Sequence, residues 1–292
     1  MSNALTLASP CKVNLLLNIL GRRADGFHEL ETLMQPLPLH DQLQLERIDQ
    51  GIELTCSDPA LPVDESNLVH RAAVVFLKKA GSGGGVKIHL EKNLPLAAGI
   101  GAGSANAAVT LHGLNELWGK SLADDELHKL AVYLGSDVPF FLTDSPALAR
   151  GRGEQVELMP AFSALQDIAI LLINPGFGVS TPWAYRELGN YPEALDGSPG
   201  RASALADELN NGTLSAAADL FYNSLEQPVF EKHPVLPLIR DYLQDNGAIV
   251  SRMSGSGATL FALSSSRAEA EKLRAKYHGQ FGQAGWSRTV LL

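Results

Sequence analysis

The run Pro95-Leu96-Ala97-Ala98-Gly99-Ile100-Gly101-Ala102-Gly103-Ser104-Ala105-Asn106 sits between an alternating apolar segment and a helical one. Glycine lets a backbone approach an anion closely. A following helix start offers N–H groups without intrahelical acceptors, at the positive end of the helix dipole. Together these features can cradle a phosphate; they would equally serve a tight turn packed on a helix. The spacing is neither GxxxxGK[ST] nor GxGxxG opening a first βαβ unit, so the P-loop and the dinucleotide fold are poor matches.

A second glycine-serine run, Ser251-Arg-Met-Ser254-Gly255-Ser256-Gly257-Ala258-Thr259, lies between two apolar segments, where a hairpin turn is the plain reading. In Leu134-Gly-Ser-Asp137-Val-Pro139-Phe-Phe141 an acidic residue stands in an apolar context. Buried, it needs a partner or a raised pKa. A carboxylate held near a lysine is the usual pair for taking a hydroxyl proton during phosphoryl transfer. The bland reading of Asp137 is a helix cap. Lys12, in Pro10-Cys11-Lys12-Val13-Asn14, and His28, in Ala24-Asp25-Gly26-Phe27-His28, would alone read as surface residues. Cys11 reads as a packed small apolar residue rather than a reactive thiol.

The elements that must position these residues follow from periodicity. Val13, Leu15, Leu17 and Ile19 alternate with Asn14, Leu16 and Asn18, which predicts a strand over 13–19 with Lys12 just before it. Further strands are predicted around Leu43 and Leu45, Ile52 and Leu54, and over 86–91. A helix is expected over 67–79, capped by Ser66 or Asn67, with a loop over 81–85. After the glycine run, Ala107, Leu111, Leu114 and Trp118 recur at helical spacing. Residues 124–134 form a helix with an acidic first turn. Beyond about 160, a buried strand is expected over 168–173 and a mobile loop over 189–201. Helices are expected at 202–209, 213–223 and 234–246. A strand, a glycine turn and a strand follow over 248–263, then a helix at 267–277 and a strand near 286–291. Two α+β domains, 1–160 and 161–292, account for the 292 residues.

Composition narrows the function. Twenty-three basic against 32 acidic residues give a net charge of −9, which argues against a protein held to nucleic acid by phosphate contacts. Two cysteines, Cys11 and Cys56, without a CxxC, argue against zinc and for a reducing compartment. The N-terminus lacks a signal-peptide pattern, and the longest apolar run is too short to span a membrane. A cytoplasmic chain is expected.

Taken together, PCKVNLLLNILGRRADGFHELET, NLPLAAGIGAGSANAA, LGSDVPFFL, GRGE, NPGFGVSTP and SRMSGSGATLF resemble the superfamily of galactokinase, homoserine kinase, mevalonate kinase and phosphomevalonate kinase, the GHMP kinases. Within it they resemble the branch whose acceptor is a cytidine diphosphate ester of methylerythritol. The pieces run in family order from residue 10 to about 263. The ADGFHELET and LGSDVP segments are the more specific ones.

The resemblance implies an N-terminal S5-domain-2-like α/β domain that binds ATP. It also implies a C-terminal ferredoxin-like α/β domain, with the active site between the two. It implies transfer of the ATP γ-phosphoryl to the acceptor 2-hydroxyl, a step of non-mevalonate isoprenoid precursor synthesis. Mg²⁺ would accompany ATP, with no metal ligands assigned. Asp137 would accept the hydroxyl proton, and Lys12 would hold it ionised and stabilise the transferring group. Residues 95–105 would wrap the phosphates, with Asn67 and Leu68 beginning the adenine pocket. Asn14, Phe27 and His28 would meet the cytidine diphosphate part, and Tyr185 would stack on the cytosine opposite Phe27. Thr181 and the loop Gly255-Ser256-Gly257 would touch the acceptor side. The partner is thus a small molecule, with no nucleic acid and no membrane, and the chain is a monomer or homodimer.

The sequence departs from the family pattern at five residues. Ile100, Ala102 and Ala105 replace a Leu, a Gly and a Ser of the glycine loop. A Cβ at 102 is costly if that position needs positive φ, and position 105 loses a hydroxyl. Phe27 stands where Tyr is common, and Ser224 replaces an Asp in the stretch Asn223 to Glu226. Two alternatives are a sister kinase acting on homoserine, mevalonate or a sugar, and a non-catalytic nucleotide-binding relative. Phe27, His28 and Tyr185 speak against the first, and Lys12 and Asp137 against the second.

Overall fold

A computed structural model describes residues 3–81, 83–195 and 197–292. The chain packs as two compact units. One comprises residues 1–11, 39–96 and 101–144; the other comprises 12–38, 97–100 and 145–292. A single cut at 160 does not reproduce this division. Two long strands, β1 (Ala4–Arg22) and β2 (His28–Ile48), contribute residues to both units. Ser82 in the expected loop over 81–85, and Asp196 in the stretch 189–201, lie outside the described residues.

In the first unit β3 (Gly51–Cys56), α1 (Leu68–Ala80) and β4 (Gly85–Glu91) are followed by α2 (Ala102–Leu117) and α3 (Asp124–Leu134). β4 pairs in parallel with β3 and antiparallel with residues 42–48 of β2. Leu43 and Leu45 of β2 and Val86, Ile88 and Leu90 of β4 are buried, while Gln42, Gln44 and Glu46 are exposed. One face is therefore apolar, as period-2 alternation requires for a half-covered sheet. The Asn67 side chain accepts from the Val69 N–H and starts α1.

In the second unit β5 (Ala147–Gly151) pairs with residues 30–34 of β2 and with β6 (Gln155–Leu158). Then come β7 (Ala169–Asn174), α4 (Thr181–Glu187), α5 (Pro192–Leu195), α6 (Arg201–Asn211), α7 (Leu214–Ala217), β8 (Tyr222–Asn223), α8 (Glu226–Lys232) and α9 (Val235–Asp245). The unit closes with β9 (Val250–Met253), β10 (Leu260–Ser264), α10 (Arg267–Phe281) and β11 (Trp286–Leu291). β11, β7, β10 and β9 form an antiparallel sheet in that order. With α9 before β9 and α10 before β11, this is the ferredoxin-like arrangement. Every residue of β7 is buried. The core gathers Leu171, Ile173, Leu236, Ile239, Leu243, Leu260 and Leu273.

Three expectations need correction. The strand predicted over 13–19 is the middle of a 19-residue one, with Lys12 inside it. Residues 102–106, expected in the glycine loop, are already helical. The helix expected over 213–223 stops early, because Tyr222 and Asn223 extend to pair with Leu16 and Leu17 of β1. That pairing offers long-range hydrogen bonds that outweigh local helix propensity. The stretch after residue 188 is not featureless: the Gly197 N–H donates to the Ile19 carbonyl, and buried Glu31 accepts from the Gly200 and Ala202 N–H groups.

Candidate active site

Within the second unit, the two glycine runs and Lys12 converge. Asn14 lies in β1, two residues beyond Lys12, so both side chains leave the strand on the same face. Lys12 Nζ donates to Asn14 Oδ1 at 2.5 Å and lies 3.5 Å from the Gly99 carbonyl. The Thr32 hydroxyl donates to the Leu16 carbonyl at 2.6 Å, so toward Asn14 it acts as an acceptor for Nδ2 at 2.8 Å. That fixes the Asn14 amide with its oxygen toward the lysine. Sequence reasoning missed Thr32; it stands beside Glu31 in Leu30-Glu31-Thr32-Leu33-Met34, and no periodic pattern singled it out.

The segment 97–100 spends its carbonyl oxygens on this unit. Ala97 accepts from the Val179 N–H, Ala98 from Thr259 and Ile100 from Lys12. Gly99 accepts from the Ser254 hydroxyl at 2.9 Å. All four carbonyl oxygens are thus engaged by donors within this unit. Gly99 has φ +76°, and a Cβ there would collide with the Ser254 carbonyl. The second glycine run thus packs directly against the first. Its Ser254 hydroxyl accepts from the Asn14 N–H, and Ser256 shares a 2.8 Å hydrogen bond with Thr181, the first residue of α4.

The unusual backbone of the first run is at Ala97, φ +48°, and not at Ala102. Ala102 opens α2, with Gly101, φ +69°, as its N-cap, so its Cβ carries no left-handed strain. Ala102, Gly103 and Ser104 lie in the first helical turn, where N–H groups have no intrahelical acceptor. Ala105 is fully buried and donates to the Gly101 carbonyl.

Also in the first unit, a Cβ on Gly103 would lie 4.0 Å from Leu68 Cδ1, which brings the start of α1 to the glycine-helix junction. Pro95 and Leu96 lead into the run from a segment tied down by Asp41. This buried carboxylate accepts from the Asn93 and Leu94 N–H groups and from Asn106 Nδ2, and it pairs with the buried Lys92 ammonium. Nothing in the sequence marked Asp41. Asp137 lies half-buried in the turn between α3 and the short helical turn Pro139–Leu142.

The residues expected to face the nucleobase lie in the second unit. The His28 and Tyr185 rings meet at 5.3 Å, tilted by 43°. Burial, then the nearby Arg22 charge, holds the His28 pKa below its ordinary value, which favours the neutral imidazole. Phe27 is 51% exposed, with the Arg152 guanidinium 4.6 Å from its ring centre. An aromatic face left open to solvent is the form a stacking platform takes.

Among the described residues no group of three or more His, Cys, Asp or Glu side chains could hold a metal ion. No helix is long and apolar enough to cross a membrane. Cys11 is fully buried and Cys56 partly buried.

Comparison with known proteins agrees with this arrangement. Residues 67–145 match the family described as GHMP kinases N terminal domain, and residues 202–283 match GHMP kinases C terminal. The chain is 41% identical over 280 residues to 4-diphosphocytidyl-2-C-methyl-D-erythritol kinase of Acaryochloris marina (strain MBIC 11017), covering 92% of this chain and 90% of that protein. It is 42% identical over 261 residues to the protein of the same name from Syntrophus aciditrophicus (strain SB), covering 89% of each. A crystal structure of 4-(cytidine 5'-diphospho)-2C-methyl-D-erythritol kinase superposes with a TM-score of 0.81 at 35% identity, covering 99% of this chain and 100% of that one. Two GHMP domains in family order, the fold, and relatives matched along nearly their whole length lead to one conclusion: the chain is an ATP-dependent kinase of the GHMP family, closely similar to the 4-diphosphocytidyl-2-C-methyl-D-erythritol kinases.

Proposed function

We propose that this kinase transfers the γ-phosphoryl of ATP to the 2-hydroxyl of 4-diphosphocytidyl-2-C-methyl-D-erythritol. The observation that carries the reading is the near full-length similarity to relatives of that name, at about the same identity in two separate organisms. The exposed Phe27 ring and the His28–Tyr185 pair support it, since a cytosine needs an aromatic face and a polar edge partner.

In this reading Asp137 takes the proton of the acceptor hydroxyl. The hydroxyl oxygen forms its bond to the γ-phosphorus while the bond to the β,γ-bridging oxygen breaks, and ADP leaves. The first turn of α2 presents N–H groups to the phosphates. Lys12, beside the Gly99 carbonyl, offsets charge on the transferring group. Asn67 and Leu68 border the adenine. Mg²⁺ enters as part of the co-substrate MgATP and neutralises phosphate charge. Mg²⁺ commonly binds through substrate phosphates and few protein ligands. ATP is held by elements within residues 1–160, and the enzyme acts in the cytoplasm as a monomer or homodimer.

The test is ADP release by the purified protein with MgATP, with and without the cytidine diphosphate ester. Homoserine and mevalonate serve as comparison acceptors. Turnover is expected only with the ester, and Asp137→Ala should lower kcat by roughly 10²–10⁴, the span for a lost general base, with far less effect on KM for ATP. A folded protein that turns over a comparison acceptor instead would overturn the substrate assignment. A near-normal kcat in Asp137→Ala would remove that residue from its role.

A further inference from the structure

We propose that Asn223 is a positioning residue for phosphoryl transfer, with Glu226 as its partner: together they hold the loop 253–257 in the conformation that receives the acceptor. This deepens the substrate reading above and rests on it.

The stretch Asn223-Ser224-Leu225-Glu226 links β8 to α8. Asn223 is 4% exposed, and its Nδ2 donates to the carbonyl oxygens of both Met253 and Gly255, each at 2.8 Å. Its Oδ1 accepts from the Leu225 N–H at 2.9 Å. Glu226 Oε1 accepts from the Met253 N–H at 2.8 Å. Residue 253 is thus held by both its N–H and its carbonyl, and residue 255 by its carbonyl. The loop 253–257 contains Gly255 at φ +56° and Gly257 at φ +81°. Glycines accept many conformations, and the bonds from Asn223 and Glu226 add to the turn's own Gly257 N–H to Ser254 carbonyl bond in selecting one.

What the clamp selects is the direction of two hydroxyls. Ser254 Oγ accepts from the Asn14 N–H and donates to the Gly99 carbonyl, next to Lys12. Ser256 Oγ lies on Thr181. A shift of the 253–255 backbone would therefore be felt at Lys12, Asn14 and Thr181 together. The task needs an amide: two donors for two carbonyls and one acceptor for an N–H. Aspartate has the same shape but would set an oxygen against two carbonyl oxygens. Burial raises the Glu226 carboxyl above its usual range, against the pull of the Met253 amide, Arg252 and Arg240. The fold retains that carboxyl despite the cost.

Ser224, in the middle of the stretch, provides the control. Its hydroxyl accepts from the Ile19 N–H and its own N–H donates to the Leu17 carbonyl, so it ties the stretch to β1 and not to the loop.

The experiment measures KM for each substrate, kcat and Tm for wild type, Asn223→Asp, Asn223→Ala, Glu226→Ala and Ser224→Ala. Both Asn223 variants should raise KM for the cytidine diphosphate ester about tenfold or more, the order expected for the two or three buried hydrogen bonds they lose. KM for ATP should stay within about twofold. Glu226→Ala should show the same split to a smaller extent, and Ser224→Ala should lower Tm with both KM values unchanged. The proposal falls if the Asn223 variants lose Tm but keep the acceptor KM, or if both KM values rise together. It also falls if none of the Asn223 and Glu226 variants folds, since the clamp would then serve the fold alone. Absence of turnover in the wild type refutes the substrate reading, and is seen before any variant is compared.

Discussion

At Gly99 two requirements coincide: a left-handed backbone and a carbonyl in the space a side chain would fill. Glycine meets both, and alanine meets neither. Gly99→Ala should cost on the order of 1–3 kcal/mol from φ alone, with the collision against Ser254 added. Urea unfolding checks this, and acceptor-dependent turnover should fall with it. A variant as stable and active as wild type would show that the two loops can separate there without loss. Gly99 was legible as part of a glycine run, because glycine clustering is a local signal. That its neighbour would be Ser254, 155 residues away, was not, since nothing in either run names the other. The difference between Ala97 and Ala102 was equally hidden. Both are alanines in a glycine run, and only the register of α2 decides which one takes positive φ.

Among elements, the segment leading into the phosphate run depends on one buried carboxylate. Asp41 sits in β2 at 1% exposure, and removing it would leave the Lys92 ammonium buried without its counter-charge. Breaking a buried pair from one side typically costs about 3–5 kcal/mol. Asp41→Ala should therefore lower unfolding stability by about that amount, read from the denaturant midpoint. A loss below about 1 kcal/mol, the scale of a surface pair, would mean that water reaches the lysine. Most elements were legible from period and caps: α1 with Asn67, α3, β7, β9, β10 and β11 fall within a few residues of expectation. The short elements were not. α4, α8, β5 and β6 are too brief for a periodic pattern to stand out. The Tyr222–Asn223 strand exists only because β1 offers it a parallel edge.

For the molecule as a whole, β1 and β2 contribute residues to both compact units, so neither unit can lose its strands without breaking elements of the other. Thermal unfolding should therefore be one cooperative transition, with calorimetric and van't Hoff enthalpies in agreement. Two resolved transitions in a calorimeter would show that the strands can melt at one end alone. The sequence by itself determined the family, the order of the elements and which residues are candidates for the chemistry. These are written in local patterns: glycine runs, alternation, helix caps, and an Asp and a Lys in recognisable surroundings. Only the tertiary structure decided how the chain divides, which donors the carbonyls of residues 97–100 meet, and that Asn223 and Glu226 clamp the second glycine loop. Those outcomes rest on hydrogen bonds between residues 27 to 240 positions apart. A local pattern cannot encode such a partner, because the free energy that selects it arises only once distant backbone groups are brought together and removed from water.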